Sequence, residues 1–222
     1  MKTMVEFKEA ILGLSNADKN ELQHWLDVEQ QIHELIDSTI RLSQHHVIWW
    51  EIMTPNTAAH FDGVRDEYLD FFEPVCYAFV QGFFVISYQL FDKREDSKHI
   101  RLLVNEVLEK DAALGVKLQS KLEKYPGIKK IKTIRHKIFA HRDRVLSPGQ
   151  ILKKCPIVIR EMKDIVDFIQ DIVSDVIEAA GGGKKADVLR KITDCQDSAR
   201  NNTFQVLKGL ARDLRRGAHD GA

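Results

Sequence analysis

The sequence predicts an all-α fold, an up-and-down bundle of four or more helices. Apolar residues recur at helical spacing along almost the whole chain, and period-two alternation over a useful length is hard to find. Five Pro and twelve Gly in 222 residues are too few for a turn-rich β-sandwich or a collagen-like repeat. With 44% hydrophobic and 30% charged residues the chain can bury a sizeable core, without metal or disulfide staples.

The elements follow in order. Val5, Ala10, Ile11 and Leu14 suggest a short amphipathic helix. Ser15-Asn16-Ala17-Asp18 then reads as a cap with an acid three residues on. The helix it opens, or two joined near Asp27, runs to about Met53 through Ile32, Leu35, Ile36, Ile40, Leu42, Val47 and Trp50. Pro55-Asn56 ends it. A further helix starts near Asp62 with Asp66, Glu67 and Asp70 in its early turns, where the helix dipole favours acids. Glu73-Pro74 either kinks it or separates two helices. Val75 to Phe91 is apolar on nearly every face and is expected at the centre of the bundle. It is also the one membrane suspect, but short, preceded by Pro74 and interrupted by Gln81, Gly82, Ser87 and Gln89, so a buried core helix is expected instead.

Asp92 to Asp96 is a charged turn, and Ser97 caps a helix through Ile100, Leu103, Val104 and Leu108. Leu114, Leu118 and Leu122 continue in another. Pro126-Gly127 precedes the basic segment IKKIKTIRHKIFAHRDRV, which Ser147-Pro148-Gly149 closes. A last bundle helix follows Pro156, with Ile159, Met162, Ile165, Val166, Ile169, Ile172, Val173 and Ile177 on one face. Gly181-Gly182-Gly183 is the clearest linker signal. The expected organisation is therefore a bundle over 1–180, a glycine linker at 181–183 and a basic amphipathic C-terminal extension over 184–222, outside the main core. The extension carries a thin stripe of Ile192, Cys195, Ala199, Val206, Leu210 and Leu214, and should pack on the bundle or cross to a second subunit.

Lys plus Arg equals Asp plus Glu, 33 each, so no global basic field exists and affinity for nucleic acid has to come from local charge. Cys76, Cys155 and Cys195 form no Cys-x-x-Cys pair, which argues against a zinc knuckle or a redox pair. The start, MKTMVEFKEA, has no apolar stretch behind its lysine, so no secretory signal is expected there and a reducing cytoplasm is the expected location.

One constellation can carry chemistry. From Lys129 to Arg144 there are seven Lys/Arg and a single acid, Asp143, a local positive patch able to engage phosphates. On a helix at about 100° per residue, Ile131, Ile134, Ile138 and Val145 share a sector and His141 falls at its edge. Arg135 lies about 120° from His141, so in one straight helix the two side chains diverge. The helix distorts near Ala140, or the long arginine wraps round, or a second copy completes the site. The two-fold dimer is favoured, because it also accounts for an apolar stripe flanked by polar groups. The plain alternatives are a packed histidine at 141, a surface ion pair for Arg135 and simple exposure for His136.

The string RHKIFAHRD resembles the signature of the HEPN superfamily: Arg135, the polar His136 directly after it, and His141 a few positions on. The upstream SYQLFDKREDSKHIRLL, with its Leu90-Phe91-Asp92 turn, and the Ala140-His141-Arg142-Asp143 string are similar to the abortive-infection AbiU-like branch. The likeness runs over about Phe72 to Arg144. It implies a homodimeric helical bundle acting as a metal-independent endoribonuclease in phage defence or a toxin–antitoxin system. Arg135 and His141 would be catalytic and His136 their polar support. Some HEPN toxins carry a tyrosine shortly after the motif histidine, which a partner nucleotidyltransferase modifies; here Arg142, Asp143, Arg144 and Val145 follow, so that control is not implied.

The residue types suit such chemistry. Attack by a ribose 2′-hydroxyl needs a base, an acid for the leaving oxygen, and a cation on the pentavalent phosphorane. Imidazole serves as base or acid near neutral pH, and a guanidinium gives paired donors to phosphate oxygens. Which histidine is acid and which base stays open. Lys132, Lys137, Arg142 and Arg144 are the candidates for gripping RNA backbone. No cofactor, metal or membrane partner is expected; RNA, a second copy and an antitoxin protein are. The alternative is a non-catalytic HEPN module that binds RNA or a partner protein. His45-His46 lack zinc-ligand spacing, and Trp25, Trp49 and Trp50 could stack on bases, although tryptophans in amphipathic helices are usually core.

Overall fold

The computed structural model describes residues 15–53, 63–92, 94, 99–136 and 159–220. The segment expected as a first helix (Val5 to Leu14), the Ser97 cap, and Lys137, His141, Arg142 and Arg144 lie outside the described residues. Among the described residues the fold is all-α, with no strand. The elements are α1 (Asn16–Met53), α2 (Val64–Glu67), α3 (Leu69–Leu90), α4 (Ile100–Lys110), α5 (Ala112–Lys124), α6 (Gly127–Ile134), α7 (Ile159–Ala179) and α8 (Lys185–Asp220).

The start of α1 is a reciprocal cap. Ser15 Oγ accepts from the Asp18 amide at 3.2 Å, and the Asp18 carboxylate accepts from the Ser15 amide and hydroxyl at 3.2 and 2.7 Å. From there α1 runs unbroken to Met53 as the spine of the bundle, packing against α3, α7 and α8. Its buried hydroxyls return to their own helix: Thr39 donates to the Leu35 carbonyl and Ser43 to the Thr39 carbonyl, both at 2.8 Å. Small, self-satisfied polar groups let helices close up without orphaned donors. Gln170 of α7 donates to Ser43 Oγ at 3.0 Å and ties the two helices.

Of the two alternatives left open at Glu73-Pro74, separation does not occur there: the helices part earlier, at Tyr68, and Pro74 sits within α3. Pro74 is the sixth residue of α3, past the amides that lack an intrahelical partner, so it leaves the Asp70 carbonyl without its i+4 donor. A larger difference concerns the burial of α3. Phe83, Phe84 and Leu90 are core, yet Leu69, Phe71 and Tyr77 are about half exposed. The expected central helix is therefore central only in its C-terminal half. By length and composition α3 is the one helix among the described residues apolar enough to cross a membrane.

Asp111 joins α4 to α5 alone. Its amide donates to the Val107 carbonyl at 2.7 Å, closing α4, while its carboxylate accepts from the Leu114 amide at 3.0 Å and opens α5. Gly115 lets the pair close up, since a Cβ there would lie 2.4 Å from Leu108 Cα. Helix α7 presents Met162, Ile165, Val166, Ile169, Ile172, Val173 and Ile177 to the core, the face its spacing predicts.

The glycine triplet is a built turn. Gly181 has φ 86°, its amide donates to the Glu178 carbonyl, and the Gly182 amide reaches back to the Ile177 carbonyl at 2.9 Å. That pair of bonds is the Schellman closure of a helix end, which needs a left-handed residue where Gly181 stands. Gly182 packs under Ile32, where a Cβ would be 2.7 Å from Ile32 Cδ1. The chain after it is not outside the core either. Val188 and Ile192 of α8 join the main hydrophobic cluster. Further on, Leu207, Leu210 and Leu214 pack with Ile52, Val64 and Phe72 in a second one.

Charge staples the same corner. Lys121 of α5 sits 2.5 Å from both Asp171 and Asp175 of α7, and Lys185 of α8 reaches the same two carboxylates. Partial desolvation would raise the Asp171 carboxyl, but hydrogen bonds from Lys121 and Lys185 outweigh it and hold the group below its usual range.

Candidate functional site

Helix α6 is planted by its apolar residues: Ile131 and Ile134 are 1% and 0% exposed. Two further contacts set its angle. Tyr125, just before it, stacks on Phe168 of α7 with ring centroids 3.7 Å apart, and Lys130 pairs with Glu161 at 2.5 Å. One of the seven cations of the basic segment is thus spent on an ion pair. Lys132 remains half-buried on the same helix.

After Ile134 the helix widens into a π-helical turn at Arg135 and His136. Such turns shift every following side chain round the axis and are frequent at functional sites. The distortion raised near Ala140 lies outside the described residues.

Arg135 and His136 both lean on Tyr88, in the last turn of α3. The guanidinium carbon stands 4.6 Å from the Tyr88 ring centroid, within range of a cation–π contact. The His136 ring meets the same tyrosine edge-on, 5.2 Å away at 80°. Arg135 Nη1 lies 3.3 Å from His136 Nδ1. A guanidinium only donates, so Nδ1 accepts and the ring proton of His136 resides on Nε2. Among the described residues Arg135 lies against a ring and makes no ion pair, and His136 is half-buried rather than simply exposed.

The turn after α3 keeps Tyr88 in place. Asp92, 5% exposed, accepts from the amide and Nε of Arg94 at 3.3 and 2.8 Å. The Phe91 and Asp92 amides donate to the Tyr88 and Gln89 carbonyls. His99 caps the far side, its Nε2 3.0 Å from the Arg94 carbonyl; burial, before any other cause, lowers its pKa. The Leu90-Phe91-Asp92 string is therefore the brace that fixes the end of α3 beside the end of α6.

Of the predicted site residues, the structure brings Arg135 and His136 together and leaves Lys132 one turn away on α6. Sequence reasoning missed Tyr88. Its one signal was a phenol near the end of a largely apolar run that also carries Tyr77. The arrangement can hold a guanidinium by one face, with donors left for phosphate oxygens. Among the described residues no group of three or more His, Cys, Asp or Glu could hold a metal ion.

A family model described as AbiU2, of HEPN type, matches residues 85–201, more than half of the chain. The matched span contains Tyr88, Arg135, His136, the glycine turn and the first half of α8. No curated protein and no solved structure matches the chain.

Proposed function

The chain belongs to the AbiU2 family of HEPN domains, associated with abortive infection, and on that premise we propose that it is a metal-independent endoribonuclease whose site two subunits share. The observation that carries this reading is the arginine held face-on by Tyr88 and touching His136, at the end of a basic helix inside the family match.

In the proposed reaction the ribose 2′-hydroxyl attacks the adjacent phosphorus. Arg135 neutralises the phosphorane oxygens as charge builds there, a role in which one preorganised donor is worth roughly 100- to 1000-fold in rate. His141 exchanges a proton with the 2′-hydroxyl or with the leaving 5′-oxygen, and the second subunit's set supplies the complementary role. His136 supports by accepting from Arg135 and so fixing the guanidinium plane. Lys132, Lys137, Arg142 and Arg144 hold backbone phosphates. The half-exposed Phe71 and Tyr77 of α3 support a partner subunit, because apolar groups left in water mark association surfaces.

The same exposed aromatics favour a second reading, a non-catalytic module that docks on a protein such as an antitoxin. One experiment separates the two: purified protein and cellular RNA with excess EDTA, assayed for fragments ending in 2′,3′-cyclic phosphate. The nuclease reading expects cleavage that survives the chelator and is lost in both Arg135→Ala and His141→Ala. Cleavage indifferent to those changes, or RNA bound with a steep salt slope but never cut, rejects it.

A further inference from the structure

A cleft of about 320 Å³ opens between α1, α7 and α8, lined among others by His46, Trp50, Lys163, Gln170, Gln196 and Arg200. It shares no residue with the Tyr88–Arg135–His136 group. His46 is 7% exposed, and among the described residues its Nε2 is buried with no hydrogen-bond partner, out of reach of water in the cleft, so the ring serves as a floor rather than as a polar contact.

Charge decides what kind of molecule. Lys163 already pairs with Asp167 at 2.5 Å, and Arg200 with Glu51 and Asp197 at 3.0 and 2.8 Å. Each cation is matched at the rim, so no surplus positive charge is left for a phosphate. Beneath the rim the chemistry is neutral and planar. Trp50 offers an indole, tilted 37° to the His46 ring, with Val47 and Val166 as apolar walls. Gln170 keeps a carbonyl oxygen and a second N–H after its bond to Ser43, and Gln196 makes no hydrogen bond among the described residues. Two amides, each presenting a donor beside an acceptor, read the edge of a heterocycle as they read a base in nucleic acid. An indole reads its face.

From these groups we infer that the cleft binds a neutral nucleobase, stacked by Trp50 and hydrogen-bonded at its edge by Gln170 and Gln196, over a floor formed by the His46 ring. The base comes either from a free nucleoside or from an unstacked position of an RNA strand. A cleft of this volume takes a nucleoside and little more. Burial lowers the pKa of His46 to about 4, and Lys163 and Arg200 push the same way against Asp167, so the floor of the cleft is uncharged near neutral pH.

The test uses the full-length protein and calorimetric titration with adenosine, guanosine, cytidine and uridine, with ribose as the control lacking a base. At least one nucleoside is expected to bind one-to-one where ribose does not. Gln196→Leu should weaken it roughly tenfold, the worth of one good hydrogen bond. Trp50→Leu should weaken it similarly, while Arg135→Ala leaves it unchanged. If the base belongs to a strand, a short RNA should instead lose affinity roughly tenfold in Gln196→Leu, and retain that sensitivity in an Arg135→Ala background. Thermal melting of each variant shows that the fold is intact. Absence of nucleoside binding together with RNA affinity indifferent to Gln196→Leu overturns the assignment. So does nucleoside binding that neither cleft variant disturbs.

Discussion

Acid should destabilise this bundle through His46, and the size of the effect follows from its surroundings. Desolvation first, with Lys163 and Arg200 adding and Asp167 opposing, lowers its pKa from 6.5 to about 4. Its ring packs beside Trp50 and Phe83, with centroids 5.9 and 6.3 Å away, so little water reaches it. In the unfolded chain the imidazole protonates with an ordinary pKa. The folded-state value is depressed, so between the two values the unfolded state binds more protons and stability falls as pH drops. Above pH 6.5 the penalty is absent. It amounts to about 0.8 kcal/mol at pH 6 and about 2 kcal/mol at pH 5, and it approaches about 3.4 kcal/mol below pH 4.

His45 and His99 are shifted in the same direction by burial, so wild-type acid sensitivity alone does not isolate His46. The reference is His46→Leu, which keeps an apolar side chain against Trp50 and Phe83 and removes only this proton site. Urea unfolding of both proteins at about pH 7.5, 6 and 5 gives the difference in stability between them, in which the other histidines cancel. That difference should move against the wild type by about 2 kcal/mol between the first and last pH. A difference that stays constant to within a few tenths of a kcal/mol would refute the reasoning, because it would mean that the ring titrates alike in both states.

Three further substitutions probe packing, two at Tyr88 beside the site and one at Gly115 between α4 and α5. Tyr88→Phe keeps the ring under Arg135 and should leave RNA cleavage within about twofold of wild type; Tyr88→Leu removes the face and should cost roughly fivefold, about 1 kcal/mol of cation–π hold. Measuring kcat and KM separately checks the role, since a positioning residue should lower kcat, and equal losses in Phe and Leu would point to the hydroxyl instead. Gly115→Ala drives a methyl to 2.4 Å from Leu108 Cα; the clash should outweigh the gain of about 1 kcal/mol in helix propensity and leave a net loss of about 1–2 kcal/mol in urea unfolding.

Much of the fold was legible because helical period and capping are local. The Ser15–Asp18 cap, the unbroken run to Met53, the Pro126-Gly127 break and the buried face of α7 each follow from residues within a few turns of one another. The glycine triplet misled for an instructive reason. Three glycines in a row are compatible with a free linker and equally with a helix stop needing positive φ at Gly181. What decides is the packing of Gly182 beneath Ile32, a contact across most of the chain's length. The stripe on α8 holds in part: Leu210 and Leu214 pack as expected, but Val206 is exposed and Leu207 is buried in its place, and whether Ile192 belongs to the core depends on α1 and α7 lying alongside.

The site divides along the same line. Arg135 and His136 are adjacent in sequence, and their contact was within reach of local reasoning. Tyr88 comes from the end of a different helix, and nothing in its neighbourhood distinguishes a tyrosine that braces an arginine from one that fills a core. Composition fails for α3 in a related way: a side chain meant for the core and one meant for a partner are equally apolar, so Phe71 and Phe83 look alike until neighbours are counted against them. Tyr77, half exposed, lies about three turns along α3 from Tyr88 on the same face. A subunit that covered Tyr77 would therefore approach along the face that carries Arg135. This is why an apolar helix left half in water and an arginine braced at its end bear on one question, the number of chains that make the site.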